Sequence, residues 1–146
     1  MSPALVPGHQ IVAGNLHSEF RAQLKNCKKC QVSQPVDYLV ADDMILQPDI
    51  LIVCKPIIKK YLDFPPTLVA EVLSPATALK DRHTKYAIYE SQHIPYYLII
   101  DPDKKEVEVY ALCDDKYQLM QQGKDFKYSF IIEDCIADVR FGEIWD

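Results

Sequence analysis

The sequence predicts a single α/β domain in which helices flank a mixed β-sheet. Its 146 residues are of single-domain length. Hydrophobic residues make up 49% of the chain and charged residues 25%, which is typical of a globular protein with a real core. The apolar segments follow the order helix, three strands, helix, strand and hairpin. This order fits an open mixed sheet better than a doubly wound nucleotide-binding fold, because the chain has only four glycines and no glycine-rich phosphate loop.

The first helix is predicted over residues 9–26. Val12, Leu16, Phe20 and Leu24 recur at every fourth position, so they share one apolar face. Within this helix, we interpret His9 as a residue that caps or solvates the helix start. Glu19 is expected on the solvated face, although a carboxylate on the first helix could also reach a metal site.

Three strands are predicted next, over residues 31–40, 46–54 and 65–75. The third is an apolar run with proline at both ends, which suits a central strand buried on both faces. Two acids accompany these strands: Asp49 stands at the head of one apolar run, and Glu71 lies inside the next. An ionised carboxylate in a buried strand is costly unless it is paired or coordinates an ion.

The second half of the chain predicts a helix over residues 78–92 and an apolar strand over 95–101. A hairpin with one solvated face follows, formed by residues 106–112 and 117–121. The tail, residues 126–146, is predicted to contain one or two short strands. All of these elements belong to one domain, residues 1–146.

The five cysteines, at positions 27, 30, 54, 113 and 135, do not predict a disulfide framework. Their number is odd and their spacing is scattered, so we expect a protein of the reducing cytoplasm. The Cys27-x-x-Cys30 motif lacks a second ligand pair at zinc-finger distance and closes a helix instead of opening one. We therefore expect neither a zinc site nor a redox motif, and we also expect no signal peptide and no membrane span.

The chain is acidic, with a net charge of −5 and an isoelectric point of about 5.3. Bulk electrostatics would therefore repel nucleic acid, which weighs against a general nucleic-acid-binding protein. The charge does not exclude a nuclease, because a nuclease site itself requires carboxylates.

Asp49, Glu71 and Lys85 could form a metal-dependent hydrolase site. If the two acids fall side by side on strands about 4.8 Å apart, their oxygens could hold Mg²⁺ or Mn²⁺. Lys85 could then position a water molecule or stabilise charge on the phosphate. Two alternatives remain open: Glu71 could belong to a structural ion pair, and Lys85 could form an i,i+4 salt bridge with Asp81.

An ordered set of motifs supports the nuclease interpretation. The set comprises Pro48-Asp49, residues 66–75 around Glu71, Asp81-x-x-x-Lys85-x-x-x-Tyr89, and residues 96–102. It resembles the Uma-two family of restriction-endonuclease-like proteins, which is assigned to the PD-(D/E)xK nuclease superfamily. The resemblance extends from His9 to Glu143. Two departures stand out: Leu73 occupies the position of the usual lysine, and His93 stands where a helix-ending glycine is common.

The resemblance implies a restriction-endonuclease-like mixed sheet flanked by helices, with a C-terminal β-hairpin. It implies a DNA endonuclease that uses Mg²⁺ (or Mn²⁺), with Asp49 and Glu71 as metal ligands and Lys85 as the lysine moved to the following helix. Tyr89 is expected to pack or to hydrogen-bond a site residue. DNA is the expected substrate, and a homodimer is the expected assembly. The alternative is a catalytically silent interaction or DNA-binding module that keeps the nuclease fold.

Overall fold

Two α-helices confirm the helical predictions, although the first begins and ends two to three residues earlier than predicted. A computed structural model describes residues 7–33, 35–75 and 79–146, with Lys80 described by its backbone alone. Helix α1 spans Pro7–Gln23 and helix α2 spans Leu79–Ser91, and a short 3₁₀ helix follows at Phe141–Glu143. The predicted start of the second helix, Ala78, lies outside the described residues.

The described part of the chain contains ten β-strands, and the tail contributes two of them. The strands are β1 (Gln31–Ser33), β2 (Tyr38–Ala41), β3 (Met44–Leu46), β4 (Ile50–Val53), β5 (Leu68–Val72), β6 (Tyr96–Asp101), β7 (Glu106–Cys113), β8 (Lys116–Gly123), β9 (Lys127–Ile132) and β10 (Cys135–Arg140).

A six-stranded sheet in the order β1-β4-β5-β6-β7-β8 forms the centre of the molecule. Strands β5 and β6 are parallel, because helix α2 carries the chain back between them, and every other neighbouring pair is antiparallel. The predicted mixed sheet is therefore confirmed. Strand β5 is buried at all five positions, as its apolar run between prolines indicates. Strands β2–β3 and β9–β10 form separate hairpins.

Each face of the central sheet carries its own hydrophobic cluster. One cluster joins alternate residues of the sheet to α1 and to the β9–β10 hairpin, where the rings of Phe20 and Phe130 lie 5.5 Å apart. The other joins the opposite residues to α2 and β2, with Tyr38, Tyr89 and Tyr97 fully buried. Each large side chain buried in this way stabilises the fold by about 1.5–3 kcal/mol. The end of β5 therefore lies between the layer of α1 and the layer of α2.

Four of the five cysteines are paired, so the prediction from their spacing was wrong. Disulfides join Cys27 to Cys135 and Cys30 to Cys54, while Cys113 is free. The first pair is 108 residues apart in the sequence and meets only when the tail hairpin packs beside the end of α1. The second pair is 24 residues apart and extends the antiparallel register of β1 and β4, in which Gln31 lies opposite Val53. The cysteine argument for a reducing cytoplasm therefore fails, and that compartment stays a prediction. No helix in the described ranges has the length and apolarity needed to cross a membrane.

Candidate active site

The two predicted acids meet at one end of the central sheet. Asp49 immediately precedes β4, and Glu71 is the penultimate residue of β5. These strands pair antiparallel with Ile50 opposite Ala70, so the same register brings Asp49 opposite Glu71. The two carboxyl groups lie close enough for each to affect the pKa of the other. The structure therefore brings Asp49 and Glu71 together as the strand pattern predicts.

The Asp49 side chain supplies a hydrogen-bond acceptor at the end of strand β5. Its Oδ2 accepts a hydrogen bond of 2.8 Å from the backbone N–H of Val72, for which β4 no longer offers a partner because that strand begins at Ile50. Burial raises the pKa of the Asp49 carboxyl, and the hydrogen bond from Val72 only partly offsets this effect. The carboxyl is thus fixed in orientation and poorly solvated.

Glu71 is almost fully enclosed, with 6% of its surface exposed. The Tyr89 hydroxyl donates to its Oε2 at 2.6 Å, and the Lys85 ammonium lies 3.5 Å from the same oxygen. Burial raises the pKa of Glu71 to about 7, although Lys85 and Tyr89 both act to lower it. The expectation that Tyr89 bonds a site residue is confirmed.

The two carboxyl groups suit a hard divalent cation. Both are desolvated and lie near each other, an arrangement in which a cation relieves the repulsion that arises when both ionise. Within the described ranges, no group of three or more His, Cys, Asp or Glu side chains is arranged around one metal position. A cation bound here would therefore have two carboxylates as its protein side-chain ligands and would take its remaining ligands from water or substrate, as Mg²⁺ typically does in proteins. The residues present fit Mg²⁺ or Mn²⁺.

Lys85 points towards the acids and not along its own helix. Its side chain is 35% exposed and reaches Glu71, whereas Asp81, one turn earlier, lies exposed. Among the described side chains, no ion pair joins Asp81 to Lys85, so the helical salt bridge considered from the sequence does not form. Lys85 thus borders the carboxyl pair and remains open to solvent.

His9 belongs to this cluster, and the interpretation of it as a solvated helix-start residue was wrong. Only 3% of its surface is exposed. Its Nε2 lies 2.7 Å from the Val72 carbonyl oxygen and 3.8 Å from Asp49 Oδ2. A carbonyl can only accept, so Nε2 must carry the hydrogen. The missed signal is its spacing of three residues from Val12, which places both on the buried face of α1. Glu19 is half-exposed on the same helix and stays without an assigned role.

Comparison with known proteins identifies the family. The family model with the description "Uma2: Putative restriction endonuclease" matches residues 1–140. The chain belongs to the Uma2 family. A solved structure similar to it is a "putative nuclease belonging to DUF820" from Anabaena variabilis, with a TM-score of 0.78 and 14% sequence identity. The match covers 99% of this Uma2 chain and 84% of that protein, so the two share a fold. A search of curated proteins returns no match.

The metal-free protein is expected to lose stability as pH rises through the titration of Glu71. Its folded pKa of about 7 exceeds the ordinary value of 4.5, so the folded chain binds more protons than the unfolded chain between these values. The free energy of unfolding should therefore fall by roughly 1–3 kcal/mol from pH 4.5 to 7. Denaturant unfolding in EDTA measures this slope. Glu71→Gln should flatten this pH dependence, whereas Asp63→Asn, which changes an exposed carboxylate, should not. Equal slopes in the wild type and both variants would refute the raised pKa of Glu71.

Proposed function

We propose that this Uma2-family protein is a metal-dependent DNA endonuclease that hydrolyses phosphodiester bonds. The observation that carries the proposal is the meeting of Asp49, Glu71 and Lys85 at one end of the central sheet. The family description and the nuclease fold of the Anabaena protein support the same chemistry. An Asp, a Glu and a Lys in this order also fit the PD-(D/E)xK pattern, with the lysine supplied by the helix that follows β5.

Asp49 and Glu71 would hold Mg²⁺ or Mn²⁺. When bound, such an ion lowers the pKa of a water molecule and neutralises charge on the phosphate. The protein fixes one oxygen of each carboxylate in advance, through the Val72 N–H and the Tyr89 hydroxyl. This preorganisation holds the two acids in one orientation and limits the rearrangement needed on binding.

Lys85 would act on the phosphate or on the attacking water. Its ammonium lies beside Glu71 while the side chain still reaches solvent, so the group can contact a substrate placed against the carboxyl pair. A positioned ammonium stabilises the negative charge that develops on the phosphoryl oxygens. Arg82 lines the same small cavity as Glu71 and Lys85 and would supply a second cation there.

Incubation with supercoiled plasmid tests the proposal. The protein should nick or linearise the plasmid in Mg²⁺ or Mn²⁺ and leave it intact in EDTA. The proposal is refuted if the protein cleaves neither the plasmid nor short oligonucleotides in Mg²⁺ or Mn²⁺. That outcome would favour the second candidate, a silent nuclease-fold module, which is motivated by the net charge of −5 and the shifted lysine.

We further propose a two-fold homodimer, since two-fold symmetry is the commonest symmetry of protein oligomers. Large apolar side chains are exposed on the tail hairpin, where Ile131 is 65% and Ile136 is 61% accessible, and on β8, where Leu119 and Met120 are also exposed. Such patches commonly mark interaction surfaces. Light scattering that shows only a 16.8 kDa species at high concentration would argue against the dimer.

A further inference from the structure

A second cavity adjoins the acidic cluster on the α2 side of the sheet. Its volume is about 420 Å³, within the range of sites that bind small organic groups. The residues that line it come from α2 and from strands β6 and β7: Leu79, Arg82, His83, Tyr86, Ile99 and Tyr110. Arg82 also lines the small cavity that contains Glu71 and Lys85. The two cavities therefore share a wall, and a ligand in the larger one would lie next to the proposed scissile phosphate.

Two tyrosine rings in this cavity are fixed without a ligand. Tyr86 and Tyr110 are half-buried and pack edge to face, with centroids 5.2 Å apart and an interplanar angle of 89°. The Tyr86 hydroxyl donates to the backbone oxygen of Tyr117 at 3.3 Å, and the Tyr110 hydroxyl donates to Glu108 at 2.7 Å. Each ring also packs against Tyr97 and Tyr117, so a flat partner could contact only the parts that line the cavity. Because both rings are tethered, that contact would cost little side-chain entropy.

Arg82 is the arginine that lines this cavity. Arg82 donates to Glu108 at 2.8 Å, so much of its charge is compensated, yet a guanidinium has five N–H groups and this contact engages one of them. The remaining groups could contact a phosphate oxygen. In a protein of net charge −5, phosphate contacts alone would give weak binding to DNA. Contact with the base itself would add affinity that the phosphates alone do not provide.

From these observations we infer that the cavity holds one unpaired DNA base beside the scissile phosphate. The substrate class that follows is single-stranded or locally unpaired DNA, because a base inside a duplex is stacked and cannot enter a side pocket unless it is extruded. Stacking of a base on an aromatic side chain contributes about 1–3 kcal/mol and tolerates different bases. This inference rests on the proposed nuclease function and specifies its substrate.

Equilibrium binding in EDTA separates the base from the phosphates. The probe is a labelled oligothymidylate of about 12 nucleotides. It is compared with a duplex of the same length and with an abasic deoxyribose-phosphate strand of the same charge. Fluorescence anisotropy should show the tightest binding for the oligothymidylate. Equal affinity for the abasic strand, or tighter binding of the duplex, would overturn the inference.

Substitutions then locate the base. Tyr110→Leu should weaken oligothymidylate binding about 5- to 100-fold, whereas Tyr110→Phe keeps the ring and should keep most of the affinity. Tyr61→Leu is the matched control, since that partly exposed ring lies outside the cavity and contacts Lys59. If Tyr110→Leu fails to fold, Leu79→Glu replaces it, because Leu79 is 63% exposed and the change places a repelling charge at the cavity mouth. Unchanged affinity in the folded variants would overturn the inference.

Binding and cleavage can fail separately, so the two proposals are distinguishable. Cleavage of duplex without preferential single-strand binding would keep the nuclease function and refute the base-binding cavity. Single-strand binding that depends on Tyr110 but is never followed by cleavage, in Mg²⁺ or Mn²⁺, would support the cavity and refute the nuclease function.

Discussion

Asp49→Asn and Glu71→Gln should each abolish metal binding and reduce DNA cleavage by roughly 10³-fold or more. That factor corresponds to the several kcal/mol by which a bound metal ion stabilises a phosphoryl transition state. The amides keep the size of each side chain and an oxygen that can accept the hydrogen bonds from Val72 N–H and the Tyr89 hydroxyl. Alanine would leave those buried donors unpaired at a cost of about 1–3 kcal/mol each, so the amides separate chemistry from folding better.

Calorimetric titration with Mn²⁺ measures the lost binding, and thermal unfolding in EDTA checks that the fold survives. Asp63→Asn is the matched control, since Asp63 is a carboxylate paired with Lys59 away from the site and should leave both metal binding and rate unchanged. Cleavage at the wild-type rate by both site variants would indicate a contaminating nuclease and remove the support for the mechanism.

The sequence predicts the local parts of the fold well because those parts depend on periodicity. The four-residue spacing of Val12, Leu16 and Phe20 defines the buried face of α1, and the proline-bounded apolar run gives the central strand β5. His93 adopts a left-handed conformation with φ of 58°, at the position where a helix-ending glycine was expected. Each of these features is determined by residues close together in the chain.

The contacts that depend on distant segments could not be derived in the same way. The partner of Cys27 is 108 residues away, and no spacing rule links the end of α1 to the start of β10. The register that places Glu108 of β7 opposite Ile99 of β6 likewise depends on how the hairpin meets the sheet. That register brings Glu108 to Arg82 and shapes the second cavity, so neither feature is visible in the sequence alone.

In the candidate site, too, some contacts could be predicted from local sequence and others could not. Alternation along two strands predicts that Asp49 and Glu71 meet, because the strands are neighbours in the chain and pair directly. Placing Lys85 beside them required the family resemblance, since its spacing from Asp81 supports an ordinary helical salt bridge equally well. His9 was missed because a single histidine near a helix start carries a weak signal, and its partner Val72 lies 63 residues further along the chain.

Lys85→Ala should reduce the cleavage rate by roughly 10²-fold or more at saturating Mn²⁺ while metal binding persists. The lysine contacts the buried Glu71 from a partly solvated position, and Glu71 can take up a proton when that charge is removed, so we expect the variant to fold. Removing its charge should also raise the pKa of Glu71 further, which would weaken metal binding near pH 7. Rates should therefore be compared at saturating metal and above pH 8, where that indirect effect is smallest.

Lys85→Arg distinguishes two ways in which the lysine could act. An arginine keeps the positive charge but cannot release a proton, so it should restore part of the rate if Lys85 stabilises phosphate charge and little of it if Lys85 transfers a proton. Lys59→Ala removes an exposed ammonium from an ordinary i,i+4 pair with Asp63 and controls for general loss of positive charge. If Lys85→Ala cleaves as fast as this control, Lys85 contributes only an ion pair with Glu71. Another positively charged side chain would then have to contact the phosphate, and Arg82, which lines the same cavity, is the candidate.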